Sequence, residues 1–146
     1  MLKRRLLFPL LLSGCSMLNS DPELRYEIPP SYDLDWTITV FGCANGQEIE
    51  QVGGDYTISV PPDGVFIAKN PNFASDLAVY KVSMSGSLDN ITSSTVRQSE
   101  NKVIMGANPM MCMYSYTLLS GPDAVASGSL ELAVQAACQR CEMPEP

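Results

Sequence analysis

The chain has 146 residues, with sixteen acidic and nine basic side chains, no histidine and a net charge of −7. Such a negative field repels nucleic acid and anionic lipid headgroups, so neither is an expected partner, whereas a basic protein or a cation is compatible with it. Without histidine, Ser-His-Asp and Cys-His catalysis and histidine zinc sites are excluded, and the chain is read as non-catalytic and without a cofactor.

At the amino terminus Lys3, Arg4 and Arg5 precede the apolar run Leu6-Leu7-Phe8-Pro9-Leu10-Leu11-Leu12, and Ser13-Gly14 lead into Cys15. A positive flank, a short apolar core and small residues before a cut make a secretory address. The run is too short for a membrane span, which needs roughly 20 residues. The tetrad Leu12-Ser13-Gly14-Cys15 resembles the lipobox of bacterial lipoproteins. That resemblance implies cleavage before Cys15, acylation of its thiol by palmitate-type chains, and attachment to a membrane of the cell envelope through that lipid. With Ser16 rather than aspartate after the cysteine, it also implies an outer-membrane destination; the domain itself is read as periplasm-facing, an orientation that no motif fixes. Several chains hold a protein firmly, since each buried methylene contributes roughly 0.8 kcal/mol. Loss of the leader leaves six basic residues against sixteen acidic, a net charge of −10. The expected division is 1–14 signal peptide, 15–33 lipidated tether and 34–146 one β domain.

Asp21-Pro22 and Pro29-Pro30 read the segment before residue 34 as extended chain. Trp36, Ile38 and Val40 then alternate with Thr37 and Thr39 as a first strand, and Asn45-Gly46 is a hairpin signal. Tyr56, Ile58 and Val60 alternate again. Pro61-Pro62-Asp63-Gly64 turns the chain into Val65-Phe66-Ile67-Ala68, a second hairpin. Between residues 77 and 88, Ala78, Tyr80, Val82, Met84 and Leu88 are expected to face the core, with Lys81, Ser83, Ser85 and Ser87 in water. Val103-Ile104-Met105 makes a short strand. Cys112, Tyr114, Tyr116 and Leu118 alternate before the Gly121 turn, and Leu130, Leu132, Val134 and Ala136 alternate after it, predicting a last long hairpin. Seven to eight short strands predict an all-β fold, a small antiparallel β-barrel or β-sandwich.

Cys43, Cys112, Cys138 and Cys141 form an even set in an exported chain and are disulfide candidates. Three pairings are open. A hairpin centred near Gly121 sets Cys112 opposite Cys138, which leaves Cys43 for Cys141. Cys138-Gln139-Arg140-Cys141 also has redox C-x-x-C spacing, with no βαβ pattern around it to support that use. Met105, Met110, Met111, Cys112 and Met113 gather soft donors suited to Cu(I), against the alternative of core filling. Asp33 and Asp35 lack the rest of a calcium loop, and no metal ligand is assigned. Asn90-Ile91-Thr92 matches a glycosylation acceptor.

The segment Val40-Phe41-Gly42-Cys43-Ala44-Asn45-Gly46 is similar to the aromatic-x-Cys-x-x-Gly opening of membrane-bound inhibitors of c-type lysozyme. That resemblance implies a small β-barrel lipoprotein, a disulfide from Cys43 to Cys138 or Cys141, and a basic glycosidase as partner. The expected function is therefore a lipid-anchored, non-catalytic binding or structural module of the cell envelope. Its alternatives are a lysozyme-inhibitor-like protein, a carrier of a small hydrophobic ligand, or a copper-binding protein. Oligomeric state and ligand are not encoded in any motif.

Overall fold

The computed structural model describes residues 22–73, 75–105, 108–120 and 128–143. Cys15, the leader and the turn around Gly121 lie outside these residues. Among the described residues there are nine strands and one α-helix: β1 Glu23–Ile28, β2 Trp36–Val40, β3 Glu50–Val52, β4 Asp55–Ser59, β5 Val65–Ile67, β6 Asp76–Val82, β7 Leu88–Asn90, β8 Val96–Met105, β9 Asn108–Leu118 and α1 Gly128–Gln139. A 3-10 turn, Thr92–Ser94, joins β7 to β8.

The strands form two sheets, in the orders β3-β4-β1-β6-β7 and β5-β2-β9-β8. Both are mixed. β1 runs parallel to β4 and to β6, and β2 runs parallel to β5 but antiparallel to β9. The expected all-β character holds in the main, and the arrangement is sandwich-like. The antiparallel barrel does not, because neither sheet closes on itself and parallel pairs lie at the centre of the first.

Three layers result. One core lies between the sheets and contains Leu24, Tyr26, Ile28, Phe41, Ile58 and Val79. The other lies between the second sheet and α1 and contains Ile38, Val40, Tyr114, Leu118, Leu130 and Val134. A strand covered on both faces reads as a continuous apolar run. Val65-Phe66-Ile67-Ala68 does so, sending Val65 and Ile67 to the helix side and Phe66 and Ala68 to the sheet side.

Several expectations are corrected. The folded part begins at β1, within the stretch 15–33 assigned to a tether: Leu24, Tyr26 and Ile28 are buried, and β1 is paired on both edges. Residues 130–136 are helix and not strand. Leu130, Val134, Ala137 and Cys138 are buried at helical spacing, whereas Leu132 is 66% exposed. On β6 the parity is reversed, since Leu77 and Val79 face the inter-sheet core. Tyr80 lies on the other side, with the Arg25 guanidinium 4.1 Å above its ring.

The two proposed hairpins are crossovers between sheets, since β2 and β5 belong to one sheet and β3 and β4 to the other. Gly46 is required for a different reason: a Cβ there would meet the Ala68 carbonyl carbon at 2.5 Å, where the chain passes the next strand end. Gly64, at φ +81°, both turns the chain and leaves room for Tyr32, Leu34 and Trp36.

The threonines of β2 are not solvated. Thr37, Thr39, Ser115 and Thr117 are all 1–2% exposed. They pair across β2 and β9, Thr37 with Thr117 and Thr39 with Ser115. The Tyr26 hydroxyl lies 2.8 Å from Thr39 Oγ1. Ser115 Oγ and Thr117 Oγ1 are buried without a partner among the described residues.

Candidate functional site

The carboxyl-terminal segment after α1 is tied to the loop after β2, and a recess lies on either side of that tie. Cys43 joins Cys141, with Cα atoms 5.1 Å apart. Asn45 adds a polar clamp: its Nδ2 donates to the Arg140 carbonyl at 2.8 Å, and its Oδ1 accepts from the Glu142 amide at 2.9 Å. The Ala44 amide donates to the Glu142 carbonyl at 2.7 Å. A side-chain amide supplies both a donor and an acceptor, so Asn45 satisfies the two backbone groups as a neighbouring strand would.

The first recess, about 570 Å³, runs along the outer edge of β5, between Pro61-Pro62-Asp63 and Arg140. Arg140 Nη1 donates to Asp63 Oδ2 at 3.0 Å. Both side chains are about half exposed, so the pair positions the rim and contributes at most about 1 kcal/mol. Ile38 N bonds to Gly64 O, and Ala68 N bonds to Val40 O, so Phe66 turns its backbone groups to β2. Those of Val65 and Ile67 therefore face the recess. Val65 N is taken by Asp63 Oδ1, and Ile67 O accepts from Gln47 N. Val65 O and Ile67 N have no partner among the described residues. Beneath the turn, the Tyr32 hydroxyl donates to the Trp36 carbonyl. Burial first, then the charges of Asp63 and Asp33, pushes its pKa far above the ordinary tyrosine value.

The second recess, about 150 Å³, is almost wholly apolar and is lined by Phe41, Gly42, Met111, Met113, Met143 and the two sulfur bridges. Cys112 is bridged to Cys138, with Cα atoms 6.0 Å apart. The β8–β9 register shifts between Glu100 and Lys102, which pair with Tyr114 and Met111. Two residues of β9 thus face one of β8, a bulge of the kind that re-aims side chains.

The four cysteines pair as expected, Cys112 with Cys138 and Cys43 with Cys141. The reason differs from the predicted one: Cys138 reaches Cys112 from the last turn of a helix, not from an opposing strand. The C-x-x-C pair is split between the two bridges, so it holds no dithiol of its own. Met111 and Met113 are 63% and 40% exposed and belong to neither core, which removes core filling as their explanation. The side chains of Met105 and Met110 lie outside the described residues.

Among the described residues no cluster of three His, Cys, Asp or Glu side chains can hold a metal. Asp35 serves through its carbonyl, which accepts from Leu119 N. Asn90 and Thr92 cap a turn, Asn90 Oδ1 accepting from Thr92 N and Thr92 Oγ1 accepting from Val79 N. Sequence reasoning missed the open β5 edge and Met143. An edge cannot be read without the strand order, and a lone methionine two residues beyond Cys141 has no pattern of its own.

No family model matches the chain, and no curated protein matches it. The similarity to lysozyme inhibitors thus rests on its few residues, and the barrel it implies is absent. Among solved structures, the fold is similar to one described as "Putative Lipoprotein from Bacillus anthracis", at 16% identity and a TM-score of 0.52, covering 84% of this chain and 80% of that one. At that identity the likeness is one of fold.

Proposed function

We propose that the chain is a lipid-anchored lipoprotein of the cell envelope, destined for the outer membrane, whose domain is a non-catalytic binding module. The lipobox-like tetrad ending in Cys15, the two sulfur bridges suited to an oxidising compartment, and the description of the Bacillus anthracis neighbour all favour the anchor. The observation that carries the binding role is the recess beside β5, where an open strand edge offers Val65 O and Ile67 N. Its occupant is an extended segment of a basic protein, adding to that edge by main-chain pairing and drawn by the net charge of −10 left once the leader is removed. A carrier of small hydrophobic ligands would use a barrel interior, and both interiors of this fold are filled by side chains.

Two experiments test this in the full-length protein. Globomycin should cause precursor accumulation, and Cys15→Ser should release the protein from membranes; normal membrane retention of that variant would sink the anchor. A photo-crosslinking residue at position 140 should capture a partner in cells, in a salt-sensitive manner, while one at position 84 should not. Ile67→Pro removes the outward-facing N–H without touching a ladder bond. Capture at position 140 that survives this change would exclude edge pairing.

A further inference from the structure

We infer that Met111, Met113 and Met143 form a thioether site for a monovalent soft cation, Cu(I). The three side chains come from two segments distant in sequence and line one recess of about 150 Å³. They are 63%, 40% and 57% exposed, and none belongs to either core. Unbranched apolar side chains are thus held at the surface around one concavity, although the same residue type usually fills gaps inside.

Their backbones are fixed. Met113 O accepts from Phe41 N at 2.8 Å; Met113 lies with Cys112 in the β9 bulge opposite Asn101, and Met111 is the paired residue next to it. Met143 follows Cys141, which is bridged to Cys43, and Glu142, whose amide is held by Asn45.

The donor set decides the ion. Thioethers are neutral and soft, so they suit Cu(I) and give little to Zn(II), Ca(II) or Cu(II), which favour imidazole or oxygen ligands. Among the described residues, no charged or imidazole side chain lines the recess. The neighbouring cysteines are committed to disulfides and supply no thiolate. Binding therefore displaces no proton and is constant between pH 5 and 8. The ion is taken up as Cu(I), and no redox step is involved.

The test uses full-length protein in detergent with its disulfides intact, titrated with Ag(I) in chloride-free buffer as a redox-inert probe and with anaerobic Cu(I). One equivalent should bind. Met111→Leu, Met113→Leu and Met143→Leu, which keep side-chain volume on an exposed surface, should each weaken binding at least tenfold, and the triple variant should abolish it. Met84→Leu, at a side chain 90% exposed that is not part of the recess lining, should leave binding unchanged. Independently of any variant, Ag(I) should protect Met111, Met113 and Met143 from peroxide oxidation, read by peptide mass, and should leave Met84 unprotected. No stoichiometric binding, binding that survives the triple variant, or equal protection of Met84 would each overturn the site. In the first case the recess is an apolar contact surface.

Discussion

At the scale of single residues, the polar seam between the sheets is a place where the fold carries a cost. Ser115 Oγ and Thr117 Oγ1 are buried and unpartnered among the described residues, and an unsatisfied buried hydroxyl costs about 1–3 kcal/mol. Thr117→Val keeps the shape and removes the hydroxyl. Denaturant unfolding should show the variant more stable by about 1 kcal/mol; a loss of stability would mean that the hydroxyl is satisfied after all. Tyr32 sets a second expectation. Burial, then Asp63 and Asp33, raises its pKa in the folded state. The folded protein thus keeps a proton that the unfolded chain releases near pH 10, so this contribution to stability is complete below about pH 10 and fades as pH rises further. The thermal midpoint should fall between pH 9 and 11, and less steeply in Tyr32→Phe. Tyr114 is raised as well, by burial and then by Glu100, so some alkaline loss persists in the variant. Equal slopes would show that Tyr32 titrates alike in both states.

Among the elements, β1 and α1 show what a sequence pattern can and cannot reveal. Leu24, Tyr26 and Ile28 alternate with Glu23, Arg25 and Glu27, a period-two signal as clear as that of β2. The flanking prolines mask it, because Pro22 and Pro29, which mark where the strand begins and ends, are equally the signature of an extended tether. Since β1 occupies the centre of the five-stranded sheet, a chain beginning at Leu34 should fail to fold, whereas one beginning at Ser16 should melt cooperatively; a cooperative melt from the shorter chain would show β1 to be dispensable. In α1, Leu130, Leu132, Val134 and Ala136 satisfy period two, and Leu130, Val134, Ala137 and Cys138 satisfy a helical stripe. A short alanine-rich run supports both, and burial against β2 and β8 chose the second. The alternation of β2, β4 and β9 was legible because each presents one distinct apolar face. The parallel partners of β2 and β4 were not, because parallel pairing leaves no turn signal in the sequence. For the candidate sites, the cysteines and Met111 and Met113 were visible, while the recesses exist only once the carboxyl-terminal segment is laid beside the loop after β2.

For the whole molecule, only seven residues, 16–22, separate Cys15 from β1. Fully extended they reach about 25 Å, so a lipid on Cys15 would keep the first sheet close to the bilayer surface. The two bridges act on a larger loop. They connect residues 98 and 26 positions apart in sequence, and in the chain-entropy account they contribute about 4.7 and 3.5 kcal/mol. They are also nested, the inner pair lying wholly within the outer. An oxidase that joins thiols in the order in which they emerge from a translocon would link Cys43 to Cys112 first, a pairing the native protein does not contain. The native arrangement then depends on thiol exchange after the last thirty or so residues have been exported. Yield of the correctly bridged protein should therefore fall several-fold in a host lacking its envelope disulfide isomerase, with Cys43–Cys112 accumulating in peptide maps. A host in which that yield is unchanged would show that the sheets assemble before the thiols are oxidised.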